Sequence, residues 1–410
     1  MMLEKFIALG KNLKMLLEKD ASDSISDKTV DSTANIIVDS VSYMTAGLAA
    51  HFESLNLLLH NAMVNTYAHN PYFTLAMQKR AMLAIVDNYL DENKLRAWVK
   101  KEGIDQNKLY RNVCLPKIGI VMAGNIPLVG FHDFLCVLIS GGKAVVKLSS
   151  KDSYLLPVLV DIMFNSSINE NYSSSTNLHI NNESVNINNN ELANIDLKEI
   201  SKYVSFVAAE EFEQQKLDGL LMMGGNVAAS HFEKIFPCIP KLIRHNRFSC
   251  AMISGNETTS ELRTIADDIT AYYGMGCRSI SYLFVPNNYD FTSLVDAIKY
   301  IIRRGTVLNS DFETKFIHRI FLKNSAVVKM QGEHIILAQN FFFIETKNQE
   351  LVPLSIGFRY YESEAEVETF ISENTENIQC FYRKLGEAQS PSLTDYPDGV
   401  NIIDYLRDLV

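Results

Sequence analysis

KIGIVMAGNIPLVGFHDFLCVLISGGKAVVKLSS, Lys117 to Ser150, decides the fold. IGIVMA is a continuous apolar run, the pattern of a strand buried on both faces of a parallel sheet. GNIP is a turn, and LVGFHDFLCVLIS carries apolar residues at helical spacing. The GG pair, Gly141–Gly142, ends that helix before KAVVKL forms the next strand. The whole is a strand–helix–strand unit. The alternation returns at YVSFVAA and LDGLLMMGGNVAASHFEKIF, while FSCAMISGN, SISYLFVP and FIHRIFLK add strand candidates. This pattern predicts an α/β fold whose ligands sit at the carboxyl ends of parallel strands.

The flanks read differently. Residues 1–110 are helical in pattern, as in MMLEKFIALGKNLKMLLEKD, Ala34 to Asn65 and Pro71 to Glu102, with NPYFT at Asn70–Thr74 as a helix start. Glu4, Lys5 and Lys11 interrupt the first stretch too often for a secretory leader. From about 163 to 195 asparagine and serine dominate, which predicts a surface insertion or loop.

The 410 residues allow two or three domains. A formal net charge of −10 argues against general nucleic-acid binding, which leaves a basic footprint. No apolar run reaches the length of a membrane span. The six cysteines form no CxxC pair or dense framework, which points to reduced thiols in a cytoplasm. The nine histidines show no metal-binding spacing, and no metal is expected.

Three segments carry candidate chemistry. GNIPLVG, Gly124 to Gly130, follows a buried strand and opens a helix, where free N–H groups favour an anion or a developing oxyanion. Asn125 there either donates its side-chain amide to a ligand or simply forms the turn. The spacing is not GxGxxG. VVKLSSKD, Val145 to Asp152, ends a strand in polar groups suited to a ribose or phosphate, or to solvent. MMGGNVAAS, Met222 to Ser230, repeats the strand–glycine–helix geometry.

AYYGMGCRSISYLFVP, Ala271 to Pro286, is the sharpest of all. Cys277 lies between Gly276 and Arg278, with Gly274 ahead of it. Glycines there clear space for a thiolate to meet a carbonyl, and the surroundings of such a thiolate lower its pKa. The plain reading is a small core hydrophobe. Cys136, Cys238 and Cys250, in apolar stretches, fit that plain reading.

These segments in this order resemble the aldehyde dehydrogenase superfamily, and more closely its acyl-CoA reductase branch, known from bacterial bioluminescence. LEKFIALGKNLKML, NPYFT, GIVMAGNIPLVGFHDFLCVLISGGKAVVKLSSKD, LDGLLMMGGNVAASHFEKIF, KLIRHNRFSCAMISGNE, DITAYYGMGCRSISYLFVP and SLTDYPDGVN carry the resemblance. It implies a Rossmann-type cofactor domain, an α/β catalytic domain and a small β-rich oligomerisation extension that commonly makes dimers. The corresponding division is a helical region at 1–110, a dinucleotide-binding domain at 111–248, a catalytic domain at 249–385 and an extension at 386–410.

The resemblance also implies roles. Cys277 is the nucleophile that forms an acyl thioester, and Asn125 lines the oxyanion hole. Lys147 contacts the adenosine ribose, and Gly224 and Gly225 form the turn near the pyrophosphate and nicotinamide. The implied cofactor-contacting set is Gly124, Pro127, Lys147, Ser149, Ser150, Gly224, Gly225 and Asn226, with Glu350 a candidate from the catalytic side. Two departures have chemical meaning. Hydrolytic relatives carry a glutamate base in an ELGG motif where this chain has RHNRFS, Arg244 to Ser249, which disfavours acid formation and suits acyl transfer to or from CoA. Ser150 followed by Lys151 stands where NAD-preferring relatives keep a glutamate, which favours NADPH. The expectation is NADPH-dependent reduction of a fatty acyl-CoA. An acyl-phosphate reductase and a cysteine acyltransferase without hydride transfer are the alternatives. The acyl donor is open among CoA, a carrier protein and a partner synthetase.

Overall fold

The computed structural model describes residues 2–22, 40–105, 115–165, 179–180, 183–184, 197–244, 247–303, 311–331, 334–347, 352–382, 386 and 388–409. Thirteen strands occur in them. The first seven are β1 Lys117–Val121, β2 Lys143–Lys147, β3 His179–Ile180, β4 Glu183–Ser184, β5 Val204–Phe206, β6 Gly219–Met223 and β7 Lys241–Arg244. The rest are β8 Phe248–Met252, β9 Ile280–Pro286, β10 Ile335–Ala338, β11 Phe341–Glu345, β12 Ser355–Tyr361 and β13 Ile378–Tyr382.

Two large sheets result. The first runs β5-β2-β1-β6-β7 and every pairing in it is parallel. Its apolar runs are buried on both faces, as the sequence of β1 demands: Ile118 and Ile120 are buried and pack with Leu135 and Ile139 of helix Phe131–Ile139. The strand order reverses between β1 and β6, so a crevice opens at their carboxyl ends. The second sheet runs β10-β11-β12-β9-β8-β13, parallel except for the β10–β11 pair. A separate core forms around Ile280, Leu283, Phe343 and Phe358.

The N-terminal helices Met2–Ser22, Ser40–His69, Leu75–Asn88 and Glu92–Lys101 pack on the first sheet's core through Phe6, Leu9, Leu59, Met82 and Trp98. The helical stretch from Pro71 to Glu102 consists of two helices. NPYFT is the turn before them, and Thr74 caps the first, accepting from Met77 N. Asp91 caps the second, accepting from Lys94 N.

Two readings need correction. FIHRIFLK is not a strand; it lies inside helix Asp311–Gln331, where Phe316, Ile317, Ile320 and Phe321 recur at helical spacing on one core. The C-terminal extension is not β-rich among the described residues. It holds the turn Pro397–Gly399 and the helix Ile402–Arg407, capped by Asn401 through Ile403 N. Ile402, Ile403 and Leu406 form a helical stripe buried in the first core. Within the asparagine-rich stretch the antiparallel pair β3–β4 is described, and most of that stretch lies outside the described residues, as does Glu350.

Candidate active site

A cleft of about 1490 Å³ opens where the carboxyl ends of the first sheet face the second. Gly124, Asn125, Pro127, Lys147, Ser149, Ser150, Gly224, Gly225 and Cys277 all line it. The eighth cofactor candidate, Asn226, begins the helix Asn226–Ile235, and its side chain lies outside the described residues.

The turn after β1 is built tightly. Met122 N donates to Lys147 O at 3.0 Å, which ties it to the end of β2. A Cβ on Gly124 would come within 2.7 Å of Ser149 Cβ and 2.9 Å of Lys151 Cβ, so only glycine lets the two strand ends approach. Leu128 adopts a left-handed φ of 57°. Its N–H donates to Asp152 Oδ2 at 2.7 Å, which holds that conformation. Burial pushes the Asp152 carboxyl up to about 6, against the opposing pull of the Leu128 N–H.

Asn125 joins this turn to the cysteine loop: Nδ2 donates to Met275 O at 2.8 Å. The loop itself is bent by Tyr272 and Tyr273, both left-handed, with φ of 51° and 56°. Gly274 follows at φ +76°, a conformation that L side chains rarely adopt. Gly276 serves packing: a Cβ there would meet Ser279 Oγ at 2.9 Å. The sequence reading gave these glycines to substrate access alone; they also let the loop turn and seat against Ser279. Ser249 Oγ donates to Cys277 O at 2.7 Å and fixes the loop on β8.

The Cys277 thiol is half-buried. Burial pushes it up to about 11, while the Arg278 charge pulls it down. This differs from the expected lowering, because desolvation outweighs the neighbouring guanidinium. Arg278 Nε donates to Ala388 O at 3.2 Å. At the other end of the cleft the Lys147 ammonium is also partly desolvated, which lowers its pKa against the pull of Glu210 and Glu213.

Several lining residues escaped the sequence reading. The C-terminal stretch passes over the cleft with Asp395 and Asp398, and Asp398 pairs with Arg247 at 3.1 Å. Arg244, at the end of β7, pairs with Asp133 at 2.5 Å in full burial. Their contacts join residues far apart in sequence, and the polar segment SLTDYPDGVN was the one local signal for the first of them. Among the described residues no cluster of His, Cys, Asp or Glu is arranged to hold a metal ion, and no helix is long and apolar enough to cross a membrane.

The architecture is that of the aldehyde dehydrogenases. A NAD-dependent aldehyde dehydrogenase from Sinorhizobium meliloti superposes with a TM-score of 0.53 at 10% identity, over 94% of this chain and 75% of that one. Aldehyde dehydrogenase 21 from Physcomitrella patens, with the reaction product succinate, gives 0.53 at 10% identity over 86% and 82%. The aldehyde dehydrogenase of Bartonella henselae gives 0.51 at 9% over 90% and 71%. No curated protein matches the sequence. The sequence profile described as Acyl-CoA reductase (LuxC) matches residues 55–299, more than half of the chain. The chain belongs to that acyl-CoA reductase family, and is an enzyme acting on acyl or aldehyde groups.

Proposed function

We propose that the protein reduces a long-chain fatty acyl-CoA to the aldehyde and free CoA, with NADPH as reductant and an acyl thioester on Cys277 as intermediate. One observation carries the reading. Asn125, at the carboxyl end of β1, is hydrogen-bonded to the loop that presents Cys277, and both line one cleft with Lys147 and the Gly224–Gly225 turn. A nucleophile, an oxyanion donor and a dinucleotide rim thus share one space.

The residues fit the cofactor. The close packing at Gly124 sets Ser149 and Lys151 on the rim of the cleft, where the Lys151 ammonium suits a 2′-phosphate. The cleft exceeds the 300–1,000 Å³ or so of ordinary small-ligand pockets, which suits a dinucleotide and an acyl group together. Its wall includes Tyr72, Phe73, Ile85, Ile126 and Leu128, apolar surface for a fatty chain.

In this reading the Cys277 thiolate attacks the acyl carbon, and Asn125 Nδ2 and the Cys277 N–H donate to the oxyanion. The C–S bond to CoA breaks and CoA leaves as the thiolate. When bound, the cofactor supplies the hydride that reduces the acyl carbon. Hydride addition leaves an alkoxide on the Cys277-bound carbon; it collapses to the aldehyde, the C–S bond breaks and the Cys277 thiolate is restored. RHNRFS supplies no carboxylate to activate water, which leaves the thioester to reduction.

The test is to mix the purified protein with myristoyl-CoA and either NADPH or NADH and follow oxidation of the cofactor. NADPH is expected to be consumed with equimolar release of CoA, and Cys277→Ala to consume none while still binding cofactor. Turnover surviving in that variant removes Cys277 from the role; turnover with an acyl phosphate but not with acyl-CoA replaces the donor.

A further inference from the structure

Arg278, next in the chain after the nucleophile, has donors that the reaction above leaves unused. Its side chain is half-buried on the wall of the cleft. Nε donates to Ala388 O at 3.2 Å, which anchors the guanidinium on the C-terminal stretch. Nη1 and Nη2 have no partner among the described residues, yet both stay open to solvent. Arg244 and Asp133, by contrast, are sealed off together, with orphan atoms on both side chains. Among the described residues no carboxylate pairs with Arg278. Asp395 acts on it only from a distance, alongside Tyr382, the Cys380 thiol and Tyr89.

The substrate narrows what such donors can meet. In a thioester bound at Cys277 the reacting carbonyl oxygen belongs to Asn125 Nδ2 and the Cys277 N–H, and a saturated fatty chain offers no other acceptor. On the leaving side, a cysteamine arm brings its first amide oxygen to about 5 Å from the sulfur. The phosphates stand at the far end of that arm, away from a side chain fixed next to the nucleophile. A guanidinium fork can donate through both Nη atoms to one carbonyl oxygen, and its charge strengthens the bond.

We propose that Arg278 binds the first amide carbonyl of a pantetheine arm through Nη1 and Nη2, and so selects thioesters built on that arm. CoA and a carrier protein bearing phosphopantetheine share this group. The assignment rests on the reading of Cys277 as the nucleophile toward a thioester.

Steady-state kinetics with a set of myristoyl thioesters tests it. Myristoyl-CoA carries the whole arm. The N-acetylcysteamine ester keeps the first amide and lacks the phosphates, and in the S-pentyl ester methylenes replace the amide. The unaltered protein is expected to show a kcat/KM about tenfold or more higher for the N-acetylcysteamine ester than for the S-pentyl ester. In Arg278→Met the S-pentyl ester reads the loss of thiolate alone, and the amide-bearing esters are expected to lose about tenfold more than it does. Arg278→Lys, which keeps the charge without the fork, is expected to restore the S-pentyl rate more fully than the other two. Should Arg278→Met not fold, Arg278→Lys and the ester comparison in the unaltered protein decide. Equal loss on all the esters, no preference for the amide in the unaltered protein, or a loss confined to myristoyl-CoA overturns the assignment. A myristoylated carrier protein run beside myristoyl-CoA distinguishes the two sources of the arm, and the same added loss is expected on both. Failure of the unaltered protein to turn over any of these thioesters overturns the nucleophile reading, and the assignment with it.

Discussion

At Cys277 two effects oppose each other. Burial holds the thiol protonated, up to about 11, and Arg278 favours the thiolate. Below that value the thiolate fraction rises about tenfold per pH unit. Alkylation of the free protein at Cys277 by iodoacetamide is therefore expected to quicken about tenfold per unit between pH 7 and 9. Arg278→Met, by removing the favourable charge, slows it at each pH; a rate flat across this range shows a thiol already ionised. Asn125→Ala is expected to cut turnover on the order of 10²-fold, the usual effect of losing one oxyanion donor, with cofactor affinity little changed. Asp161 is a second residue whose ionisation matters. Burial pushes its carboxyl up to about 7, against about 3.9 in an unfolded chain. The folded state binds the proton more tightly, so this group's contribution is fully present below about pH 4 and is lost as pH rises through about 7. Asp161→Asn is expected to stabilise the protein by about 2–4 kcal/mol at pH 8 relative to its effect at pH 4. Urea unfolding at both values checks it, and an equal effect at both refutes it. Cys277 was visible in the sequence through its glycine neighbours, but the sign of its pKa shift was not, since desolvation depends on what the fold stacks over the sulfur.

Among the elements, the turn after β1 sets the geometry of the cleft. A Cβ at Gly124 meets Ser149 and Lys151, at the end of β2. Gly124→Ala is expected to push the two strand ends apart, at a cost of about 1–3 kcal/mol, and to weaken NADPH binding. Gly103→Ala, where φ is +67° and nothing lies within 4 Å of the added Cβ, supplies a comparison in which backbone strain acts without a steric contact. Unchanged affinity in Gly124→Ala refutes the close-approach argument. β1, its turn and the following helix were legible because a strand buried on both faces and a helix packed on it leave different periods in the chain. FIHRIFLK was misread because eight residues with five large apolar ones fit either period; Ile317, buried on the second core with Phe316 and Ile320 beside it, settles the helix. In the 71–102 stretch the helical pattern was legible but the break was not, because periodicity continues across it, whereas the caps Thr74 and Asp91 are single residues.

For the whole molecule, the C-terminal chain ties the two sheets together. Gln389 Nε2 donates to Ser279 Oγ at 3.3 Å beside the cysteine loop, and Leu393 O lies 3.0 Å from His132 Nε2. Further on, Tyr405 Oη donates to Pro240 O at 2.8 Å and accepts from Leu220 N at 3.2 Å, on the first sheet. Leu406→Ala, which empties a fully buried site in the first core, is expected to cost about 2–5 kcal/mol, read by chemical unfolding. A loss below 1 kcal/mol shows that the helix Ile402–Arg407 is not part of that core. By itself the sequence determined the layered α/β order, the strand ends that line the cleft and the cysteine that follows two glycines, because these are recorded in local periodicity and in residues with few conformational alternatives. Only the tertiary structure decided that the tail is helical, that Arg244 meets Asp133 across 111 positions and that Cys277 is desolvated. Those outcomes depend on which distant surfaces exclude water from one another, and no local pattern encodes that.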